Sequence, residues 1–339
     1  MNEPLVSIIL SNYNGLEHLE ECFNSLYNMN YNNFEIIFVD NNSNDSSVEF
    51  VRNNYKKIKI IQNKVNFGYS KANNIAASHS KGEFLVLLNI DTVVDENWLK
   101  ELVNVAISSK EIGIVVSKIL VYDNESLIDC AGGFIDKYGE TGHINNYICI
   151  HKYLELQREV FYSCGAAMLI KREVYRKIGL YDELYYAYFE DVDLCWRSWI
   201  AGYKVVYVPT SFIYHKISKV ISKQKDLKLM FLRERNRLRT LLKNYQIKTY
   251  PKILPIYIKK RISIVIKNSL KKHISRGEYL IDGLIKTIFW NIFHLKSLIK
   301  ERKFIKSIRK KDDKYIFTLM KDGQRISEYI KFKKSKYKI

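Results

Sequence analysis

The sequence is poor in cysteine and proline, and it lacks a long hydrophobic run. Its 339 residues include only 5 Cys and 4 Pro, and no two cysteines form a CxxC pair. A disulfide framework is therefore not expected, and a reducing cytoplasm is the natural compartment. No stretch reaches the roughly 20 uninterrupted apolar residues that a spanning helix needs. Met1 to Pro4 lead directly into a strand-like run without the regions of a signal peptide, so we expect the active part to stay inside the cell.

Two common nucleotide-binding loops are also missing. Neither GxxxxGK[ST] nor GxGxxG occurs, which disfavours chemistry with ATP or with a dinucleotide. With 47% hydrophobic and 27% charged residues, the chain nevertheless has the composition of a folded protein. Its length suits one large domain, or one large and one small domain.

Charge is distributed unevenly along the chain. Residues 1–215 contain 19 basic and 27 acidic residues, a net charge of −8, whereas residues 216–339 contain 36 and 9, a net charge of +27. This asymmetry predicts an acidic or metal-using globular part joined to a surface that binds polyanions, either anionic lipid or nucleic acid. A genome rich in AT base pairs, which favours Lys and Ile, is the alternative explanation.

The first hundred residues alternate between short apolar runs and helix-length segments. The predicted strands are Val6–Leu10, Phe34–Asp40, Ile58–Gln62 and Phe84–Leu88, and the predicted helices are Leu16–Tyr27, Ser46–Asn54, Tyr69–His79 and Asn97–Ser108. Such strands belong in a parallel sheet covered by helices on both faces. Shorter strands and Gly turns between 112 and 171 predict a mixed or antiparallel patch. A helix over Glu190–Ala201 and a strand over Lys204–Val208, ended by Pro209, complete the pattern.

Polar clusters follow each of the four predicted strands. They are residues 11–15, 40–43, 66–69 and 89–91, and all should face one crevice at the carboxyl edge of the sheet, where ligands bind in open α/β sheets. Asn, Asp, Ser and Gly are also ordinary turn formers and helix caps. The recurrence of the clusters at one edge is what favours a binding site.

These clusters and several later stretches form an ordered set. The set comprises VSIILSNYNG (6–15), VDNNS (39–43), NFGY (66–69) through Asn73-Asn74, LNID (88–91), CGAAM (164–168), FEDVDLCWR (189–197), Tyr214-His215 and Arg235-Asn236-Arg237. In this order and spacing, over residues 5 to about 245, the chain resembles the family 2 glycosyltransferases with a GT-A fold, especially their rhamnosyltransferase-type members. The resemblance implies an α/β fold with a Rossmann-like, mostly parallel sheet, a catalytic domain over 1–245 and a basic helical extension over 246–339.

A divalent cation suits this chemistry because a nucleotide sugar leaves as a diphosphate, whose charge must be neutralised. Mg²⁺ or Mn²⁺ would take one or two protein oxygens and then the phosphates, so Asp91 at a strand end can anchor the ion. The resemblance makes Asp91 the last residue of a DxD motif, in which Asn89 replaces the first acid. It also makes His215 an additional metal ligand, although a lone His in that place is more often structural.

Inversion by direct displacement needs a base that takes the proton of the acceptor hydroxyl. Glu190, Asp191 and Asp193 are the candidates, and the resemblance favours Asp191, with Glu190 as a neighbouring or acceptor contact. Acids in the first turn of a helix also complement its dipole, and that explanation suffices for Asp193.

Position along the chain assigns the remaining contacts to the nucleotide sugar. Asp40 is expected to accept from the base or the ribose, with Tyr13 covering the base. The other predicted contacts are Asn14, Asn42, Asn66, Gly68, Asn73, Asn89 and Asp91.

The last third of the chain has a helical apolar pattern among many lysines. One helix face carries Ile281, Leu284, Ile285, Ile288, Ile292 and Leu295, interrupted by Asp282, Lys286 and Lys296. We therefore expect a helix that lies in the membrane interface, with Trp290 at the headgroup boundary. The cluster Arg302, Lys303, Lys306, Arg309, Lys310 and Lys311 favours anionic lipid. The alternative is a packed helical subdomain with a solvated Lys face.

The leading hypothesis is an inverting, metal-dependent glycosyltransferase, peripheral on the inner face of the cell membrane. It would move a sugar from a nucleoside diphosphate donor to a hydroxyl of a lipid-linked or cell-envelope glycan. The resemblance suggests dTDP-rhamnose, with UDP and GDP sugars open. A catalytically inactive, membrane-associated binding relative is the alternative, kept open by Asn89. A nucleic-acid binder is a third hypothesis, but no reading motif supports it and no nucleic acid is expected.

Overall fold

The computed structural model describes residues 3–144, 154–216, 227–270 and 274–320. Of the side chains within these ranges, those of 227–228, 265, 267–270 and 274–282 are not described. The predicted apolar position Ile281 and its neighbour Asp282 therefore lie outside the described side chains.

The N-terminal half of the sheet is parallel. Strands β1 (Val6–Asn12), β2 (Phe34–Asp40), β3 (Lys59–Gln62) and β4 (Phe84–Asn89) lie in the order β4-β1-β2-β3, joined by helices α1 (Leu16–Tyr27), α2 (Ser47–Asn54) and α3 (Gly68–Ser78). Each crossover returns the chain so that the polar residues after every strand reach the same edge. The strands and helices predicted for this half are confirmed, with ends that move by one or two residues.

The second half of the same sheet is mixed. It contains β5 (Thr92–Val94), β6 (Ile112–Val121), β7 (Asn124–Cys130), β10 (Arg158–Glu159), β11 (Ala167–Lys171) and β12 (Lys204–His215), while β8 (Gly133–Ile135) and β9 (Thr141–His143) form a separate hairpin. Strand β11 runs antiparallel between β4 and β6, and β12 is parallel to β6. The predicted mixed patch is thus continuous with the parallel strands.

Strand β12 is longer than predicted, because Pro209 does not end it. Val208 pairs with Ser117 and Phe212 with Lys118, so that residues 209–211 bulge out of the ladder. Proline is tolerated at a bulge because no ladder hydrogen bond is required there. The strand then continues to His215, which pairs with Thr92 of β5.

Two apolar layers cover the sheet. On one face α1 and α4 (Trp98–Ser108) pack against the even-numbered β1 residues Val6, Ile8 and Leu10. In α1 the buried side chains follow helical spacing: Leu19, Cys22, Phe23 and Leu26. The opposite face, which includes Ile9, is covered by α3, by α5 (Arg172–Ile178) and by α6 (Glu190–Ile200).

The C-terminal helices join this second layer. They are α7 (Leu227–Asn244), α8 (Tyr250–Leu270), α9 (Ile274–Phe293), α10 (Leu295–Ile308) and α11 (Asp313–Leu319). Leu241, Tyr245, Ile305 and Ile316 belong to the same core as the sheet. The apolar core therefore continues across position 245, and the domain boundary proposed there stays a prediction.

Helix α9 has a polar inner side and an apolar outer side, whereas α8 also buries the apolar residues Ile253 and Tyr257. In α9, Thr287 and Asn291 are buried, whereas Ile288, Ile292 and Phe293 are exposed, the last by 86%. In α8, Arg261 is buried while Ile262 and Ile266 are exposed. We call the exposed set the outer apolar face; it comprises Ile256, Ile258, Ile262, Ile264, Ile266, Ile285, Ile288, Phe289, Ile292, Phe293, Leu295 and Ile299.

The structure changes the predicted extension in three details. The apolar pattern does not belong to a single helix, because α9 ends at Phe293 and Leu295 begins α10. Trp290 packs under Arg235, whose Cζ lies 4.3 Å from the ring centroid, and its position at a headgroup boundary stays a prediction. Arg302 and Arg309 donate to the backbone carbonyls of Leu242 and Asn244, leaving Lys303, Lys306 and Lys310 as the exposed cations of that cluster.

Among the helices of the described ranges, none is both long and apolar enough to cross a membrane.

Candidate active site

The loops after β1 and β2 are joined by a buried hydrogen-bond network. Asn12 Nδ2 donates to Asp40 Oδ1 at 2.8 Å and to Ser43 Oγ at 3.0 Å. Ser43 donates to Asp40 through its hydroxyl, 2.6 Å, and through its backbone N–H, 2.9 Å. Asp40 is 2% exposed. Its carboxylate therefore braces the loop, and its direct contact with a base stays a prediction.

The side chains above this network are open to solvent. Tyr13 is 54% exposed, and Asn14 and Asn42 are exposed in left-handed backbone conformations, with φ of 52° and 66°. Asn14 Oδ1 accepts from the backbone N–H of Asn44 at 2.9 Å, which holds the two loops together. These three residues are open to a ligand, and their contact with a nucleotide base stays a prediction.

The loop before α3 meets the segment that precedes α6. Asn66 Oδ1 accepts from the N–H of Gly68 at 2.9 Å, and Gly68 has a φ of 79°. A Cβ at position 68 would lie 2.4 Å from Tyr186 Cδ2, so only glycine fits there. Asn73 is buried and donates to Tyr69 O, 2.8 Å, which gives it a structural role in this structure.

Asp91 and His215 lie next to each other, as the pairing of β5 with β12 requires. The distance from Asp91 Oδ1 to His215 Nε2 is 3.4 Å, and the other ring nitrogen lies 3.5 Å from Asp129 Oδ2. Burial alone would lower the pKa of His215, but the hydrogen bonds to Asp129 and Asp91 raise it to about 9. Two carboxylates thus flank one imidazole at the carboxyl edge of the sheet.

These residues fit a divalent ion whose remaining ligands come from a diphosphate. In the ranges that the structure covers, no group of three or more His, Cys, Asp or Glu side chains could hold a metal by itself. Mg²⁺ commonly binds through one or two carboxylates plus phosphate oxygens. Asp91 and His215 would hold the ion, with the imidazole giving up its proton as the ion binds. Asp129 would orient the imidazole from its far side, as carboxylates often do behind metal-binding histidines.

Asp191 is linked to the end of β4 by way of residues 165 and 166. The N–H of Asn89 donates to Ala166 O at 3.0 Å, and the N–H of the adjacent Gly165 donates to Asp191 Oδ2 at 3.2 Å. Two backbone links therefore connect the end of β4 with the start of α6. Asp91 and Asp191 are both partly exposed.

Glu190 and Asp191 are adjacent acids with different environments. Burial raises the pKa of both, and the Asp191 charge adds to the effect on Glu190. Backbone N–H groups of Val192 and Gly165 donate to Asp191, whereas Glu190 Oε2 is buried and finds no hydrogen-bond partner among the described residues. Hydrogen bonds to the charged form favour it, so Asp191 is the more readily ionised acid and Glu190 the one that keeps its proton to higher pH.

The helix dipole does not suffice to explain Asp193, although it lies in the first turn of α6 as predicted. It is fully buried and accepts from Lys243 Nζ, Arg197 Nε and Asn244 Nδ2, each at 2.9 Å. Lys243 also donates to Asp182 at 3.0 Å. Burial raises the pKa of Asp182 and Asp193, but their cationic partners outweigh it and hold both below the usual range.

Sequence reasoning missed Asp129 and Lys243 altogether and gave Asn236 no role. Asp129 stands on a short hairpin strand with no motif around it, and Lys243 is one of many lysines in a basic region. Only Asn236 carried a signal, since it belongs to the Arg-Asn-Arg stretch of the resemblance.

Comparison with known proteins identifies the family. Residues 7–179 match the model described as Glycosyl transferase family 2, so the chain belongs to that family. GalNAc-T7, solved with UDP, GalNAc and Mn²⁺, is similar over 87% of this chain and 58% of its own, with a TM-score of 0.61 and 19% identity. This structural likeness bears on the fold alone and agrees with a GT-A architecture.

Two relatives show how coverage varies. An uncharacterized glycosyltransferase of Haemophilus influenzae is 25% identical over 327 residues, covering 91% of this chain and 98% of the relative. The uncharacterized protein y4gI of Sinorhizobium fredii is 31% identical over 227 residues, covering 62% of this chain. The match spans only 24% of the y4gI length.

Proposed function

We propose that the chain is an inverting, metal-dependent glycosyltransferase that transfers a sugar from a nucleoside diphosphate donor to a hydroxyl of a lipid-linked or cell-envelope glycan. The observation that carries the proposal is the link from the end of β4, through Ala166 and Gly165, to Asp191. It supports two carboxylates, Asp91 and Asp191, acting on one sugar. A role in polysaccharide biosynthesis, with rhamnose as one donor sugar, follows the same family resemblance.

Each residue then has a distinct role. Asp91 and His215 hold Mg²⁺ or Mn²⁺, which when bound would neutralise the departing diphosphate. Tyr13, Asn14 and Asn42 surround the base, while Asn66 and Gly68 let the chain approach the nucleotide sugar closely. Asp191 accepts the proton of the acceptor hydroxyl as the oxygen attacks from the face opposite the diphosphate.

Release of nucleoside diphosphate tests this proposal. The protein is incubated with UDP, GDP and dTDP sugars and with Mn²⁺. Asp191→Asn should lower the rate of nucleoside diphosphate release by about 10²- to 10⁴-fold, because the general base is lost. Glu173→Gln is the matched control, since Glu173 is an exposed acid in the first turn of α5. Equal rates for the wild type and Asp191→Asn would contradict the assigned base.

An inactive binding relative is the second candidate, and Asn89 favours it because the DxD motif has lost one acid. In that case the protein would bind a nucleotide sugar with metal, measured as thermal stabilisation, yet would release no diphosphate with any donor. Asp129, which faces His215, supports the active alternative because it returns a carboxylate to the metal edge.

The outer apolar face supports a peripheral position on the inner surface of the cell membrane. Helices with an apolar side and neighbouring cations bind at the boundary between headgroups and acyl chains. Ile288, Ile292 and Phe293 are exposed, and Lys296 and Lys300 follow on the adjoining helix. The face would enter the lipid while the lysines meet anionic headgroups.

A further inference from the structure

The segment that leads into the candidate base has an unusual backbone. Tyr186, Tyr188 and Phe189 have φ values of 64°, 68° and 71°, and Glu190 and Asp191 follow directly. Residues with a Cβ rarely adopt this conformation, and it persists only where surrounding contacts enforce it. Something outside the segment must therefore hold it.

Asn236 on α7 provides that hold. Its side chain is fully buried, and Nδ2 lies 2.9 Å from Tyr185 O, 2.9 Å from Ala187 O and 2.8 Å from Tyr188 O. The two hydrogens of one amide NH2 group are thus within reach of three backbone carbonyls of a single short segment, so one hydrogen is shared between two of them. Buried carbonyls need such partners, because leaving them unpaired is costly.

Neighbouring side chains of α7 complete the hold. Arg235 Nη2 donates to Leu184 O at 3.2 Å, and the hydroxyls of Tyr185 and Thr240 lie 2.8 Å apart. Thr240 also donates to Asn236 O at 2.8 Å. On the side away from α7, the N–H of Ser70 donates to Tyr186 O at 3.1 Å.

The segment fixes where α6 begins. The N–H of Asp193 donates to Phe189 O at 2.9 Å, so the first turn of α6 starts from the last residue of the segment. Asp191 lies in that turn, with Oδ2 3.2 Å from the N–H of Gly165. A shift of the segment would move the carboxylate away from the acceptor side.

We propose that Asn236 is a positioning residue that holds the strained segment 185–189 and thereby aims Asp191 at the acceptor hydroxyl. This inference rests on the proposed function of Asp191. It also explains the Arg-Asn-Arg stretch, because the C-terminal helix α7 completes a site whose reacting groups stand on the sheet and on α6.

The test compares two buried asparagines. Asn236→Leu keeps the branched shape of the side chain and removes the donor, and Asn291→Leu makes the same change at a buried asparagine whose Nδ2 donates to Thr287 O and Arg235 O but to no carbonyl of the segment. We expect kcat to fall about 10- to 100-fold in Asn236→Leu, as misplacement of a reacting group by about 1 Å does, with the donor KM within twofold of wild type. Asn291→Leu should keep its kcat.

Amide hydrogen exchange separates this inference from the proposed function. Exchange over 185–192 should accelerate in Asn236→Leu and not in Asn291→Leu, whether or not a donor sugar has been identified. A wild type that turns over no nucleotide sugar would contradict the proposed function, while the exchange result would still judge Asn236. Unchanged exchange, an unchanged kcat, or an equal fall of kcat in both variants would overturn the inference.

A milder variant guards against loss of the fold. Thr240→Val removes the hydroxyl between Tyr185 and Asn236 O without changing the shape of the side chain. We expect a three- to tenfold lower kcat and faster exchange in the same segment, in keeping with a weaker hold. A wild-type kcat together with wild-type exchange in Thr240→Val would also count against the role of Asn236, because the Thr240 hydroxyl donates to the Asn236 carbonyl.

Discussion

Helices α1 and α9 place the same kinds of side chain on opposite sides. In α1 the apolar residues Leu19, Phe23 and Leu26 are buried against the sheet, and charged residues face solvent. In α9 the polar residues Thr287 and Asn291 are buried, and Ile288 and Ile292 are exposed. The comparison teaches that the C-terminal helices are held to the protein by polar contacts as well as by the shared apolar core. It also shows that α9 leaves apolar side chains exposed on its outer side.

The polar interior of the C-terminal region should be sensitive to loss of one charge. Lys243→Met leaves the buried carboxylates of Asp182 and Asp193 with one fewer cation, and we expect about 3–5 kcal/mol of destabilisation. Urea unfolding measures the change, and the exposed Lys248→Met should stay within about 0.5 kcal/mol of wild type. Similar losses for both variants would remove the contrast between the two regions.

The outer apolar face should bind membranes, and an isolated isoleucine elsewhere should not. Ile292→Ser removes apolar contact area and is expected to weaken binding to anionic phosphatidylglycerol vesicles about tenfold, because a buried Ile side chain contributes about 1.5–3 kcal/mol. Ile107→Ser on α4 is the control, since Ile107 is 55% exposed and Ile292 59%. Cosedimentation measures both. A dimer in solution that depends on Ile292, without vesicle binding, would assign the face to a second copy instead.

Glu190, next to the candidate base, should lower the free energy of unfolding when it is charged, by less than the loss of Lys243 does. The raised pKa of Glu190 means that its contribution to stability is present at low pH and is lost as pH rises through the folded-state pKa. Glu190→Gln should therefore match wild type near pH 5 and exceed it by about 1–3 kcal/mol at pH 8, because no buried charge forms. Urea unfolding at both pH values tests this, with Glu173→Gln as the exposed control. A uniform gain at both pH values would contradict the assigned cause.

The sequence was informative wherever a pattern is local. Apolar runs and their polar ends predicted β1 to β4, and the ordered motifs brought Asp91, His215 and Asp191 together as candidates. These features depend on residues close together in the chain, so they can be recognised without coordinates.

Features made by distant residues could not be predicted. Asp129 meets His215 across 86 positions of the chain, and Lys243 meets Asp193 across 50. A helical apolar stripe also does not reveal which side faces the protein, since Ile288 and Ile292 satisfy the same spacing as a core-facing helix. In α9 the side that faces the protein carries Thr287 and Asn291, and helix propensity gives no information about this orientation.

The bulge in β12 has a consequence for how such chains vary in length. Side chains alternate between the two faces of a strand, and residues 209–211 add an odd number of positions between Val208 and Phe212. If the pairing up to Val208 set the register of the rest of the strand, deleting one of these residues would shift His215 by one position and turn its imidazole to the reverse side of the sheet. Among related chains, the number of residues between the Lys204 and His215 equivalents should thus separate those that can place a histidine beside the acid after β4 from those that cannot.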